Sequence, residues 1–345
     1  MSRFRGKRTF LILLLVLIGA LLIGVAVGPV PIPPVESLKI LLGLSDGGVQ
    51  ERILLDVRLP RVLLGLLVGW VLSISGGVMQ GLFRNPLADP YLLGIASGAS
   101  AGAAATIALN LDALPFALPA GAFLGAWLVV FIVYRMGNSA SAGHIFRFDN
   151  YSLILTGVAL AALFSAVTSF FIFTAQSEDL RKIIFWLMGG LGAPRWPYLM
   201  PLVSVAALGT LVLLVFSRDL NALALGEPMA RHLGVNPQTL KKGLLFIVTL
   251  MTASAVAVAG TIGFVGLIIP HAMRLIVGPD HRRLLWASAL AGAAFLILCD
   301  TAARTALAPA ELPVGIITAL WGAPFFLYLL NRSRRAMIPQ GGVSL

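Results

Sequence analysis

Four histidines (His144, His232, His271 and His281) and one cysteine, Cys299, are the side chains best suited to hold a metal or launch nucleophilic chemistry. Their spacing fits neither task. The histidines are scattered, without an H-E-x-x-H arrangement on one helix face, and a lone cysteine excludes an internal disulfide and a thiolate cluster. No G-x-x-x-x-G-K-[ST] phosphate loop occurs. A proton- or ion-coupled machine needs ionisable groups inside the apolar runs. His271, Arg274, Asp300 and Arg304 come nearest, all toward the ends of such runs, where a histidine bonded to backbone or water is the plainer reading. The chain carries no visible energy source of its own.

One compact polar stretch stands out, "LGEPMARHLGVNPQTLKK" at 225–242. Gly234 suits the left-handed residue that ends a helix near Leu233. Asn236 suits an N-cap and Pro237 the first position of a following helix. The expectation is two short helices at an angle, with apolar Met229, Leu233 and Val235 beside polar Glu227, Arg231 and His232. From this local chemistry two readings stay open, a knob that docks a partner and an amphipathic loop at the membrane surface.

The elements that must position this knob are apolar. Hydrophobic residues make up 59% of the 345 and charged residues 11%, with a mean hydropathy of +0.95. Soluble domains carry about 25% charged residues, so only a bilayer accommodates this much apolar surface. The net charge of +11 sits in short clusters between apolar runs, which argues against nucleic acid. "RFRGKR" followed by about 20 apolar residues is longer than a signal core and reads as a first transmembrane helix.

Ten spans are expected, at 10–28, 60–83, 91–109, 116–136, 151–175, 197–216, 243–260, 262–277, 284–303 and 313–331. Lipid leaves no backbone group unpaired, and the runs lack strand alternation, so the fold class is an all-α polytopic membrane bundle. An even number places both termini on one side. That side would hold 17 of the 25 lysines and arginines, Arg84, Arg147, Arg231, Lys241, Lys242 and Arg274 among them, and so faces the cytoplasm. Arg58, Arg61, Lys182, Arg195 and Arg304 fall on the other side. Gly65/Gly69, Gly94/Gly98/Gly102 and Gly121/Gly125 have the four-residue spacing that lets helix backbones approach closely.

"RLPRVLLGLLVGWVLSISGGVMQGLFRNPLADPYLLGIASGASAG" (58–102), "GEPMARHLGV" (226–235), "GTIGFVGLIIPHAMRLIVGPDHR" (260–282) and "ELPVGIITALWGAPFFLYLL" (311–330) occur in that order. They resemble the permease subunits of iron-siderophore, haem and vitamin B12 ATP-binding-cassette importers, of the type II class, over essentially the whole chain beyond the first helix. The resemblance implies a single permease domain over 1–345. It also implies a homodimer around the translocation path, two separate ATPase subunits, and a binding protein that delivers substrate from the periplasm or outer surface. No cofactor is expected on this chain, ATP and magnesium belonging to the ATPases. The cell's inner membrane is the implied location.

By motif position, Gly226, Glu227, Met229, Ala230, Arg231, Leu233 and Gly234, within a cytoplasmic segment 217–242, resemble the coupling helices that sit in a cleft of the ATPase. Arg58, Arg61 and Arg304 resemble outer arginines that meet acidic side chains of the binding protein; on their residue type and position alone they read first as snorkelling anchors at span ends. Asn85 and Leu87, with Asn150 and Tyr151, match a cytoplasmic gate. "FWLMGGLGAPRW" (185–196) lies closer to the vitamin B12 permeases than to the siderophore ones. A permease of the same kind for molybdate-type oxyanions would line its path with lysine or arginine, and none stands in mid-span. An ion-coupled secondary transporter and a membrane-embedded enzyme are the readings from other classes.

Overall fold

A computed structural model describes residues 2–44, 47–139, 150–192 and 196–337. His144, Arg147 and Arg195 lie outside the described residues, as do the side chains of Arg3, Arg5, Asn150, Arg332, Arg334 and Arg335. The helices are α1 (Ser2–Ala26), α2 (Pro34–Leu41), α3 (Val49–Arg52), α4 (Leu59–Leu82), α5 (Ile95–Ala108), α6 (Ala117–Ser139), α7 (Asn150–Thr174) and α8 (Ser177–Leu187). They continue as α9 (Trp196–Val215), α10 (Ser217–Ala224), α11 (Glu227–His232), α12 (Pro237–Ala259), α13 (Val265–Val277), α14 (His281–Thr305) and α15 (Val314–Met337). A π-helical stretch, Ile53–Arg58, joins α3 to α4 without a break.

Among the described residues seven helices are long and apolar enough to cross a membrane, and three shorter apolar ones, in α5, α13 and α15, bring the total to the ten expected. Helix α4 is the axis. Every residue from Val71 to Leu82 is buried, and α14, α13, α12 and α9 pack around the helix. A helix apolar on all sides is a core helix, whereas α1 and α7 keep most of their apolar surface outward, as lipid-facing helices do.

Small residues set the closest approaches. Gly98 and Gly102 of α5 lie on Gly125 and Gly121 of α6, so that an added Cβ would run into the facing carbonyl oxygens. The expected pairs therefore meet one another. Gly69 faces Gly292 of α14, and Gly76, which the spacing does not single out, faces the carbonyl of Gly266 at the start of α13.

The shortness of α5 and α13 corrects two expected spans. Residues 83–94 run through turns and a 3-10 helix, Pro90–Leu93, before α5 begins, and residues 260–264 are non-helical before α13. Residues 88–94 and 260–264 lie together inside the protein. Pro90 packs on Gly266, and the Tyr91 hydroxyl donates to the Ile262 carbonyl at 3.1 Å. Polar backbone at this depth is tolerated because protein, not lipid, surrounds it.

Arg61 and Gln80 both lie on α4, 19 positions apart, a rise of roughly 28 Å that is close to the thickness of a bilayer core. They mark two ends. Arg61 meets Asp300 near the close of α14, whereas Gln80 donates to the Leu267 carbonyl and lies beside Arg274. Arg58, Arg61, Lys182 and Arg304 gather at the first end, and Arg84, Lys241, Arg274 and Arg282 at the second, as the charge pattern groups them.

Candidate functional site

The polar stretch at 225–242 is anchored at the second end, and its caps form as the residue types require. Gly234 takes φ +82°; its N–H donates to the Arg231 carbonyl at 3.0 Å, and the Val235 N–H donates to Ala230 at 2.9 Å. That pair of bonds closes a helix by the Schellman pattern. Asn236 Oδ1 accepts from the Gln238 and Thr239 N–H groups at 3.1 and 3.3 Å. The second short helix, however, does not exist as such. Pro237 opens α12, which runs on for 23 residues as a full span. The short pair lies one element earlier, α10 followed by α11, because capping residues mark where a helix begins and say nothing of its length.

Each face of the pair has a distinct role. Met229 and Leu233 are exposed, as is Arg231, while Ala230 is fully buried against the bundle. Glu227 accepts from Lys241 at 2.6 Å, tying α11 to α12. Asn221 of α10 donates to Asp280 Oδ1 at 2.7 Å and accepts from the His281 backbone N–H at 2.9 Å, tying α10 to the start of α14. Leu220 and His281 both pack on Gly81 in the last turn of α4. The Arg84 guanidinium lies 3.6 Å from where a Cβ on Gly226 would stand. Arg84 itself opens the connection that carries Asn85 and Leu87. Asn221, Asp280, His281 and Arg84 escape sequence reading, since only the fold brings them together.

In that connection Asn85 Oδ1 accepts from the Leu87 N–H at 3.0 Å, a local turn that holds the "NPL" stretch in shape. Tyr151 is exposed near the start of α7, and the side chain of Asn150 is outside the described residues. The two segments touch farther along, where Gly157 packs on the Leu92 carbonyl.

At the opposite end the three arginines are held within the protein. All are buried: Arg58 is 3%, Arg61 6% and Arg304 2% exposed. Arg58 donates to the carbonyls of Val25 at 3.1 Å and Ala26 at 2.9 Å, and also to Val30. Arg304 donates to Gly24 and, at 3.2 Å, to Thr301 Oγ1. Together they satisfy carbonyls left open where α1 ends. Arg61 donates through Nε and Nη2 to Asp300 at 2.9–3.0 Å and through Nη1 to Glu311 at 2.8 Å. Arg304 Nε lies 3.7 Å from the same Asp300. In this conformation the three guanidinium groups are turned to carbonyls and carboxylates of the fold itself. The reason is charge balance, since a buried cation needs a counter-ion or carbonyls.

Beside this cluster a cavity of about 630 Å³ opens among Arg61, Glu311, Lys182, Trp186, Tyr198 and the 189–192 backbone. Lys182, on its rim, is bonded to Asp112 at 3.0 Å and Asp179 at 3.2 Å, and these bonds hold its ammonium pKa above the usual lysine value.

The chain matches the model of the FecCD transport family over residues 13–332. It is 49% identical over 283 residues to the cobalamin import system permease protein BtuC of Halobacterium salinarum, covering 81% of this chain and 74% of that one. It is 40% identical over 302 residues to the hemin transport system permease protein HmuU of Yersinia pestis, covering 86% and 89%. With the vitamin B12 import system permease protein BtuC of Klebsiella pneumoniae it shares 42% over 332 residues, 96% and 95% of the two chains. Among solved structures, an inward-facing metal-chelate-type ABC transporter superposes with a TM-score of 0.83 at 34% identity, over 94% of this chain and 99% of that one.

Proposed function

The chain belongs to the FecCD transport family as a multi-pass permease subunit of a metal-chelate ABC importer, and on that premise we propose how its parts divide the work. Helices α10 and α11, within a segment 217–242 of one permease domain, take the push of an ATPase subunit through Met229, Arg231 and Leu233. Gly226, Glu227, Ala230 and Gly234 hold that surface in shape. One observation carries the reading: the same pair is tied to α14 through Asn221, to α12 through Glu227, and lies against Arg84, the first residue of the connection bearing Asn85 and Leu87. A displacement of α10–α11 must therefore reach the last turn of α4 and that connection, where Asn85, Leu87, Asn150 and Tyr151 form the gate. Two copies enclose the path, each with its own ATPase, which binds ATP and magnesium; this chain contributes no cofactor. The α10–α11 end and both termini face the cytoplasm, in the inner membrane of the cell.

At the outer end Arg58, Arg61 and Arg304 act from within, fixing the close of α1 and the 306–313 connection against which a soluble binding protein docks. They reach that protein's acids only where the bonds to Asp300 and Glu311 open. The cargo is a metal chelate of the cobalamin or haem class, with cobalamin the first choice on the names of the relatives. The chain is then a conduit that needs little affinity for what passes. Reconstitution with the ATPase and the binding protein tests this. The hydrolysis rate should rise when the binding protein carries cobalamin and less when it carries haem. A rate indifferent to the loaded protein would refute the assignment.

A further inference from the structure

Between α6 and α12, at the end that bears α11, lies a groove of about 470 Å³ that the transport reading does not use. Its floor is buried Leu93, Val133, Leu153 and Leu245, and its walls include Trp127, Phe131 and Phe246. Phe131 and Phe246 are more than half exposed, and Trp127 meets Phe246 edge-to-face with ring centroids 5.2 Å apart. The charge that lines the groove stands at one end. There Lys242 sits 5.9 Å from the centroid of the Tyr134 ring, and exposed Arg135 follows on the same turn.

The dimensions fit one leaflet. Lining residues on α12 run from Thr239 to Thr249, ten residues or roughly 15 Å of helix, half the thickness of a hydrocarbon core. Aromatic rings with a polar handle belong at the bilayer interface, as Tyr134 does here, and the stem of a lysine reaches the same level. Gly243 lies beside Lys242 in the groove, and among the described residues a Cβ there would meet nothing within 4 Å. Basic pockets between membrane helices on the cytoplasmic side hold anionic lipid headgroups.

We propose that this groove is a binding site for an anionic glycerophospholipid, one acyl chain lying along Phe131, Trp127 and Phe246 and the phosphate held by Lys242. It rests on the membrane assignment alone, and stands whatever chelate the importer carries.

The test uses the full chain in nanodiscs and the fluorescence of Trp127, isolated by subtracting a Trp127→Phe variant. Phosphatidylglycerol with brominated chains is compared with phosphatidylcholine brominated in the same way. One cation at the surface favours an anionic headgroup by about 1 kcal/mol, or about fivefold. Quenching of Trp127 by phosphatidylglycerol should therefore reach half its maximum at a mole fraction at least about fivefold lower than with phosphatidylcholine. Lys242→Gln should reduce that preference about fivefold, and Gly243→Leu, whose side chain enters open space, should weaken quenching by both lipids without lowering the unfolding temperature. Superimposable curves for the two lipids overturn the proposal. So does a preference unchanged in Lys242→Gln, or a Trp127 shielded from both lipids because a second protein copy fills the groove.

Discussion

Replacing Asp300 by asparagine removes one negative charge from a buried group in which Arg61 and Arg304 are balanced by Asp300 and Glu311. Asp300 is 2% exposed and accepts three contacts from Arg61 at 2.9–3.0 Å, with Arg304 Nε a further 3.7 Å away. Removing one partner of such a pair costs about 3–5 kcal/mol, because a charge remains buried without compensation. In a chain of this size each kcal/mol lowers the midpoint by roughly 2 °C. The expected loss is then roughly 6–10 °C in the thermal unfolding of purified protein, followed by intrinsic fluorescence. The double variant Arg61→Met/Asp300→Asn removes opposite charges together and should lose less than Asp300→Asn alone. An Asp300→Asn midpoint within about 2 °C of the parent would refute the reasoning, as would losses that simply add in the double variant. The alternative, a free docking arginine, predicts the reverse pattern for Arg61→Gln: unchanged unfolding, with weaker carrier affinity chiefly at low salt.

Met229→Asp with Leu233→Asp places charge on the exposed face of α11 and should leave folding intact while ATP hydrolysis no longer drives uptake; normal transport rates would remove α11 from the coupling path. Glu227→Gln weakens the 2.6 Å bond to Lys241 by about 1.5–3 kcal/mol, so the ratio of substrate moved to ATP consumed should fall in proteoliposomes. Gly76→Ala drives a methyl into the Gly266 carbonyl and should cost at least about 3 kcal/mol, whereas Gly243→Ala adds to open space in a helix and should gain up to about 1 kcal/mol. Thermal unfolding of the two alanine variants side by side checks both signs.

Much of this architecture is legible in the order of residues because a bilayer imposes simple rules. Each of the ten apolar runs holds a helix among the described residues, seven long enough to cross a membrane and three shorter, and lysine and arginine sort between two ends a bilayer apart. What sequence cannot supply is contact across distance. The partner that buries Arg61, Asp300, lies 239 positions away, so Arg61 reads as a surface cation until the fold is known. Gly76 gives no sign of its facing Gly266, and "YLLG" (91–94) and "GTIGF" (260–264) read as the edges of apolar spans because their composition, unlike their backbone, continues the helices beside them. The Gly234 stop and the Asn236–Pro237 start are local chemistry and appear where expected. Which of the flanking helices is short depends on packing against α4 and α14.

The central claim is that this chain is a passive path moved by force from another polypeptide. Uptake of a radiolabelled chelate by sealed proteoliposomes, with the purified chain present alone or together with its ATPase and loaded binding protein, tests it most directly. The chain alone should accumulate nothing above the outside concentration, under ATP or under any ion gradient, and the assembled importer should concentrate the chelate only while ATP is hydrolysed. Accumulation by the chain alone under a proton or sodium gradient would contradict the account.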